Sequence, residues 1–456
     1  MAADPIQHVI VLMLENRSFD HILGDCPKIK GASPLSGINT YKGTSYPQAN
    51  GAARVIGDDP KHDTSDVMVQ LAASEGVAEN GGFVLDYSNG YHDLTNASRA
   101  EVMKFHAFQS LPAMHALAEE FTVCDRWFAS VPGPTWANRL FALSGTSLGR
   151  VEMPDGIMNL NLHWYDQPTI FDRLNEVSKR WKVYFGDAPL ASLFVHQWEP
   201  KNAARLRLMP EFFEDVAGDP ASFPDFAFIE PAYMQPGAND AHPPHDILDS
   251  DALVASVYNA IRAKDELWQS TLLVVLFDEH GGFYDHVSPP PAIPPDHHRE
   301  EYSFDRYGLR VPALLISPYV GKGIFSEPLD HTSLLRYLQL KWNLGYLGDR
   351  TAAAGTFAAA IDGAPRVPAL PAAPRPSRDS GAVPALALDR LTDHQSAIVA
   401  LSHVLESMTD EDPNVVAARS RQVLSGPQSQ IDAAVDRVSS FLAQQAAKAA
   451  GLPPGV

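Results

Sequence analysis

Cysteine is almost absent from this chain of 456 residues, where Cys26 and Cys124 are the only two. They allow one bridge at most, and their spacing fits neither a zinc site nor a redox pair, so a disulfide-stapled scaffold is excluded. Long apolar runs are lacking too. The longest, residues 9–14 and 272–277, have the length of buried strands and fall far below the roughly 20 residues of a membrane-spanning helix. No integral membrane segment is expected. Positive charge is scarce, with 35 Lys and Arg against 55 Asp and Glu and a net charge of −20. Such a balance repels phosphate backbones and anionic lipid surfaces, so nucleic acid is not an expected partner. The first residues lack the basic start, apolar stretch and small-residue cleavage site of a signal peptide, so the chain reads as a mature form or one exported by another route. No repeat is visible at solenoid periods.

What is present is material for a core: 45% of residues are hydrophobic and 20% charged. Residues 8–14 are continuously apolar and end in Glu15-Asn16-Arg17-Ser18-Phe19-Asp20. Residues 272–277 repeat the pattern and end in Asp278-Glu279-His280-Gly281-Gly282. Both read as strands buried on two faces, as in a parallel sheet covered by helices. Ligands of such sheets bind outside the carboxyl ends of the strands, so the two acidic pairs point to one shared site. Residues 182–185 and 311–317 are further predicted strands, and residues 111–121 and 251–264 carry helical spacing. An α/β class follows. Gly and Asn crowd residues 31–57, and Pro289, Pro290, Pro291, Pro294 and Pro295 interrupt the chain after the second strong strand, which marks loops around a site. Prolines at 365, 368, 371, 374, 376 and 384 suit an extended connector. The expected division is a catalytic domain over residues 1–364, a connector over 365–385 and a helical region over 386–456 packing on the main domain. In that last region Thr392 and Gln395 form a capping box, and Ile431, Val435, Val438 and Leu442 share a helix face.

Three groups of residues could carry chemistry. Thr135 follows Pro132-Gly133-Pro134 where a helix can start, with Asn138 about one turn on; a helix there suits a bound phosphate, although threonine is also a common N-cap. Glu15, Asn16, Asp278 and Glu279 offer three carboxylates and an amide oxygen at strand ends. Buried together they repel one another, and a divalent cation relieves that repulsion. Histidines sit in Lys61-His62-Asp63-Thr64 and in Asn239-Asp240-Ala241-His242-Pro243-Pro244-His245, without a zinc signature; a proton donor to a leaving group is expected from such a residue. Gly145-Thr146-Ser147-Leu148-Gly149 fits the acyl-hydrolase pattern, but lacks a strand before it and an apolar helix after it. A serine esterase using Ser147 is therefore the distant alternative, beside a phosphate-binding protein without turnover.

The blocks His8-Val9-Ile10-Val11-Leu12-Met13-Leu14-Glu15-Asn16-Arg17-Ser18-Phe19-Asp20-His21, Cys124-Asp125-Arg126-Trp127-Phe128 with Pro132-Gly133-Pro134-Thr135-Trp136-Ala137-Asn138-Arg139, and Phe277-Asp278-Glu279-His280-Gly281-Gly282-Phe283-Tyr284-Asp285-His286-Val287 together resemble one family. It comprises the bacterial non-zinc phospholipases C, the plant non-specific phospholipases C and a group of acid phosphatases. The resemblance covers residues 6–345 and implies an alkaline-phosphatase-like α/β/α sandwich with a mainly parallel sheet and one divalent metal ion of unspecified identity. It implies Glu15, Asn16, Thr135, Asp278 and Glu279 as metal ligands and Thr135 as nucleophile. Asn138 would bind a phosphate oxygen, His62 and His242 would face the phosphoryl group and leaving oxygen, and His245 and His280 would contact substrate. Threonine at 135 favours phospholipase C, with broad acid phosphatase activity as the alternative. A phospholipid or small phosphate ester is the expected substrate, with transient contact to a lipid surface. The resemblance implies a secreted or periplasmic protein, while a cytoplasmic place stays open. Phe83, Tyr87, Tyr91, Trp164 and Tyr165 are candidates for lining an approach to the site, and His163 for a further site histidine.

Overall fold

In the computed structural model, residues 4–153, 165–234, 237–361, 364–368, 370–377, 391–409 and 426–451 are described; His163 and Trp164 lie outside them, as does part of the proline-rich stretch. Eight strands of the described residues form the main sheet: β1 (His8–Leu14), β2 (Thr122–Cys124), β3 (Trp181–Phe185), β4 (Leu206–Leu208), β5 (Phe226–Glu230), β6 (Thr271–Phe277), β7 (Ala313–Ile316) and β8 (Gly323–Phe325). Their spatial order is β8-β2-β7-β6-β1-β5-β3-β4. All neighbours pair parallel except β7, which runs against both β6 and β2. The result is a mixed, largely parallel sheet surrounded by helices.

The two strands with unbroken apolar sequence lie side by side at the centre. Every residue of β1 and β6 is buried, because helices cover both faces and leave no solvent side for an alternating pattern. Their register runs from His8 opposite Thr271 to Leu14 opposite Phe277, so both chains leave the sheet at the same level. The predicted helices are present as α1 (Pro112–Glu120) and α3 (Ile247–Ala263), with α2 (Thr135–Ser144) and α4 (His331–Trp342) at the site end. Helix α3 starts earlier than its apolar spacing indicated, because Asp246 caps it by accepting from the Leu248 N–H.

Cys26 and Cys124 are buried free thiols. The described part of the proline-rich stretch is strapped to the main domain: Arg366 pairs with Glu120 at 2.6 Å and Tyr258 Oη donates to the Leu370 carbonyl at 2.6 Å. Among the described residues two helices follow, α5 (Asp393–Ser407) and α6 (Pro427–Ala449). Helix α5 opens with the Thr392–Gln395 capping box. Ile431, Val438 and Leu442 are buried along α6, and a buried ion pair, Arg437 Nε to Glu406 at 3.0 Å, ties α6 to α5.

Candidate active site

The parallel register delivers Glu15 and Asn16 from β1 beside Asp278 and Glu279 from β6, and all four are fully buried. Asp278 Oδ1 accepts the backbone N–H of Asn16 at 3.1 Å and of Glu279 at 2.7 Å, which locks the two strand ends together. Asn16 has a left-handed backbone, φ 57°. The returning chain passes so close that a Cβ on Gly281, itself at φ +64°, would lie 2.1 Å from the Asn16 carbonyl oxygen. Only glycine fits there.

Helix α2 brings the third component. Pro134 precedes it with extended backbone and the helix starts at Thr135, as proline before the first turn permits. Thr135 Oγ1 donates to Asn16 Oδ1 at 3.3 Å. One turn on, Arg139 reaches both strand ends, with Nη2 3.2 Å from Glu15 Oε1 and Nε 3.1 Å from Asp278 Oδ2. Arg139 carried no assigned role in the sequence; its signal is the i,i+4 spacing from Thr135, which puts both on one helix face. Asn138 differs from the expectation. Its Oδ1 accepts from the Val131 N–H and its Nδ2 donates to the carbonyls of Val131, Gly133 and Pro134. The amide is thus committed to the loop that presents Thr135 and is not offered to a phosphate oxygen.

The histidines divide in the same way. His62 and His242 meet edge to face, ring centres 5.8 Å apart. His62 Nδ1 donates to the Pro60 carbonyl at 2.8 Å, leaving Nε2 toward the site, 3.1 Å from Asn16 Nδ2 and 3.9 Å from Glu279 Oε1. His242 Nδ1 is held by the Pro243 carbonyl, and its Nε2 lies 3.7 Å from Asp59. His245 bonds Asp240 through Nδ1 at 2.6 Å, and its buried Nε2 has no hydrogen-bond partner among the described residues. His280 has both ring nitrogens engaged within the protein: Nε2 donates to Gln70 Oε1 at 2.7 Å and Nδ1 lies 3.3 Å from Glu279 Oε2. It orients Glu279. A residue absent from every expectation completes the group. His394, from α5, places Nδ1 2.9 Å from the Glu15 carboxylate.

Burial raises the carboxyls of Glu15 and Asp278, each to about 8, although Arg139 opposes the shift for both. Glu279 is lowered: burial alone would raise it, and the His62 and His280 charges outweigh that. Burial lowers His62 by itself, but Glu279 and Asp59 hold its imidazolium up to about 9. Among the described residues, two trios have ligand atoms within 4.8 Å of one another, Asp59-His62-His242 and Asp20-Asp285-His286. In the second, Arg310 already sits 2.8 Å from both carboxylates. The first borders the strand-end acids. Glu15, Asp278 and Glu279 are not such a trio by themselves, and Asp278 has both oxygens engaged. Glu279 Oε1, however, is buried without a hydrogen-bond partner among the described residues, and Glu15 Oε1 faces Arg139 Nη2 at 3.2 Å as an ion pair. With Asn16 Oδ1 and Thr135 Oγ1 they make an all-oxygen donor set that fits a hard divalent cation.

Other candidates prove to be packing. Phe83 and Tyr87 are buried in a satellite core with Val67, Tyr284 and Leu309, Tyr91 Oη donates to the Asp59 carbonyl, and Tyr165 packs edge-on against Phe194. Ser147 is buried after the end of α2 and donates to the Arg150 carbonyl. It follows a helix, where a nucleophilic serine needs a strand-to-helix turn. Ser147→Ala is accordingly expected to leave hydrolysis of any ester substrate unchanged in a steady-state assay; loss of turnover with the melting temperature preserved would contradict this placement.

A buried hydroxyl at a helix start, facing carboxylates at the carboxyl ends of a largely parallel sheet, defines the class: an α/β hydrolytic enzyme. The phosphoesterase family profile matches residues 6–345, and the chain belongs to that family. It is 34% identical to non-specific phospholipase C6 of Arabidopsis thaliana over 77% of this chain and 71% of that protein. Non-specific phospholipase C3 of the same plant is 31% identical over 89% and 83%, and phospholipase C A of Mycobacterium tuberculosis 27% identical over 76% and 77%. The protein is thus a phosphoric ester hydrolase. No helix among the described residues is long and apolar enough to cross a membrane.

Proposed function

We propose that this enzyme is a metal-dependent phospholipase C that cleaves a phosphodiester through a phosphothreonine at Thr135, releasing diacylglycerol and a phosphorylated head group. The observation that carries the reading is the Thr135 hydroxyl itself, buried at the first turn of α2 and bonded to Asn16 among the strand-end carboxylates. Glu15, Asn16, Thr135 and Glu279 would hold the cation, and Asp278 would add an oxygen only beside the bonds it already makes to Arg139 and two backbone N–H groups. Once bound, the cation supplies Lewis acidity that lowers the pKa of a hydroxyl and offsets the clustered negative charge.

Thr135, entering as the alkoxide with its proton released to solvent, forms an Oγ1–phosphorus bond as the bond from phosphorus to the leaving alcohol oxygen breaks. The alcohol takes a proton from His62, whose Nδ1 is fixed on Pro60 and whose Nε2 faces the site. His242, fixed through Nδ1 on Pro243, presents Nε2 beside it. Water then displaces Thr135 from phosphorus, passing one proton back to His62 and leaving Thr135 as the alkoxide for the next turnover. Asn138 serves by holding the Val131–Pro134 turn, and His280 by orienting Glu279. The names of the relatives, non-specific phospholipase C and phospholipase C A, favour diesters of lipids over monoesters. An extracytoplasmic place of action belongs to the same proposal.

The test is p-nitrophenol release from p-nitrophenylphosphorylcholine and from p-nitrophenyl phosphate, with and without chelator. Diester cleavage lost with chelator and restored by a divalent cation is the expected result. Monoester cleavage alone would make the enzyme a phosphatase, and indifference to chelator would remove the metal. The pH profile bears on His62. A charged histidine with an ordinary pKa of 6.5 would put the optimum below neutrality, whereas Glu279 and Asp59 raise His62 to about 9. Since the protonated ring is the acid, kcat/KM is expected to fall on the alkaline side, with its limb between 6.5 and about 9 because a cation on Glu279 pulls the value back down. A profile flat across that interval would rule out His62 as the donor.

A further inference from the structure

The sequence separates His394 from Glu15 by 379 positions and by the proline-rich stretch, yet the two side chains meet at 2.9 Å, both buried. Several core histidines lodge a ring nitrogen on a backbone carbonyl: His8 on Pro224, His21 on Lys104, His115 on Ile22, His331 on Asp278. His394, like His245 on Asp240, places Nδ1 on a carboxylate, and its carboxylate is one of the strand-end acids of the site. An imidazole N–H that donates to a carboxylate fixes its rotamer, and outer contacts of this sort govern how well an oxygen ligand is held.

Three further contacts keep His394 there. Its ring packs on Tyr233, centres 4.7 Å apart. Gln395, the next residue, donates from Nε2 to the Tyr233 carbonyl at 3.0 Å, and the Thr392–Gln395 capping box fixes the turn that carries both. Tyr233 in turn lies under Arg139, whose guanidinium carbon is 5.3 Å from the ring centre, and Arg139 is the other partner of Glu15. Glu15 is therefore gripped from two sides, by α2 through Arg139 and by α5 through His394, with Tyr233 between them. Because Glu15 stands just past Leu14, the last residue of β1, without either grip its carboxylate is free to choose another rotamer.

We propose that the C-terminal helix α5 is part of the active site, with His394 a positioning residue that holds the Glu15 carboxylate in its working orientation. This rests on the reading of Glu15 as a cation ligand, and the test separates the two. In the full-length protein, His394→Ala, His394→Asn and Gln395→Ala are compared with wild type and with Glu279→Gln. Asparagine puts an amide N–H near the place of Nδ1, and Gln395→Ala weakens the docking of α5 without touching Glu15. Mn²⁺ binding is followed by calorimetry, and hydrolysis by kcat and KM.

The expected result is Mn²⁺ affinity about 10- to 100-fold lower in His394→Ala, substantially restored in His394→Asn, and lowered by a clearly smaller factor in Gln395→Ala, with kcat falling more than KM changes. Equal affinity and kcat in His394→Ala and wild type would overturn the proposal, as would Gln395→Ala matching His394→Ala, which would make the effect one of docking alone. If wild type and Glu279→Gln both fail to bind Mn²⁺, the metal reading falls. The kcat pattern then decides the positioning role alone: loss in His394→Ala with recovery in His394→Asn upholds it, and no loss overturns it.

Discussion

Thr135→Ala is expected to abolish phosphodiester cleavage, with kcat lowered on the order of 10⁴- to 10⁶-fold, the scale seen when a nucleophile is removed. The fold should survive. The hydroxyl makes one hydrogen bond, to Asn16 at 3.3 Å, worth about 1 kcal/mol, and alanine is a good residue for the first turn of a helix. Thr135→Ser keeps the hydroxyl and should remain active. Single-turnover labelling with a ³²P-diester distinguishes the proposed intermediate from direct attack by water: wild type and Thr135→Ser retain label on the protein after denaturation, and Thr135→Ala does not. An alanine variant that turns over at the wild-type rate would remove Thr135 from the chemistry and with it the phosphothreonine.

The second large effect is on stability. Arg310 is buried between Asp20 and Asp285, donating from Nη2 to Asp20 and from Nε to Asp285 at 2.8 Å each, with Nη1 on the Asp125 carbonyl and its plane over Phe19. Asp20 also accepts from His286 and Gln48. Arg310→Met keeps much of the side-chain volume but leaves two buried carboxylates facing each other. A loss of about 3–5 kcal/mol is expected, read as a lower denaturant midpoint with the slope unchanged. Arg310→Met with Asp285→Asn should recover part of the loss, because the two changes share one network. A midpoint within experimental error of wild type would show the cluster to be electrostatically idle, or its charge to be balanced from elsewhere.

This network was not legible in the sequence. Asp20 and Asp285 stand in the blocks that mark the site, and Arg310 precedes a strand pattern with nothing to mark it. The same holds for His280, whose place beside Glu279 suggested substrate contact and whose ring is in fact committed to Gln70, 210 positions away. Asn138 shows a subtler limit. Its residue type suits phosphate binding and its placement near the start of α2 was anticipated, but an amide closes just as readily onto the carbonyls of the preceding turn, and the turn lies nearer. The aromatic residues Phe83 and Tyr87 went into a satellite core for the general reason that large rings bury when helices can cover them.

What the sequence determined by itself is local or nearly so: two wholly apolar strands buried on both faces, acidic pairs at their carboxyl ends that point to one shared site, and a threonine after Pro-Gly-Pro where a helix can start. These follow because burial on both faces and proline geometry act within a few residues of the pattern. Only the tertiary structure decided which side chains serve Glu15. Arg139 comes from α2 and His394 from α5, 379 positions distant along the chain, and no periodicity encodes that meeting. It depends on where packing sets the helices against the sheet, a property of the folded whole.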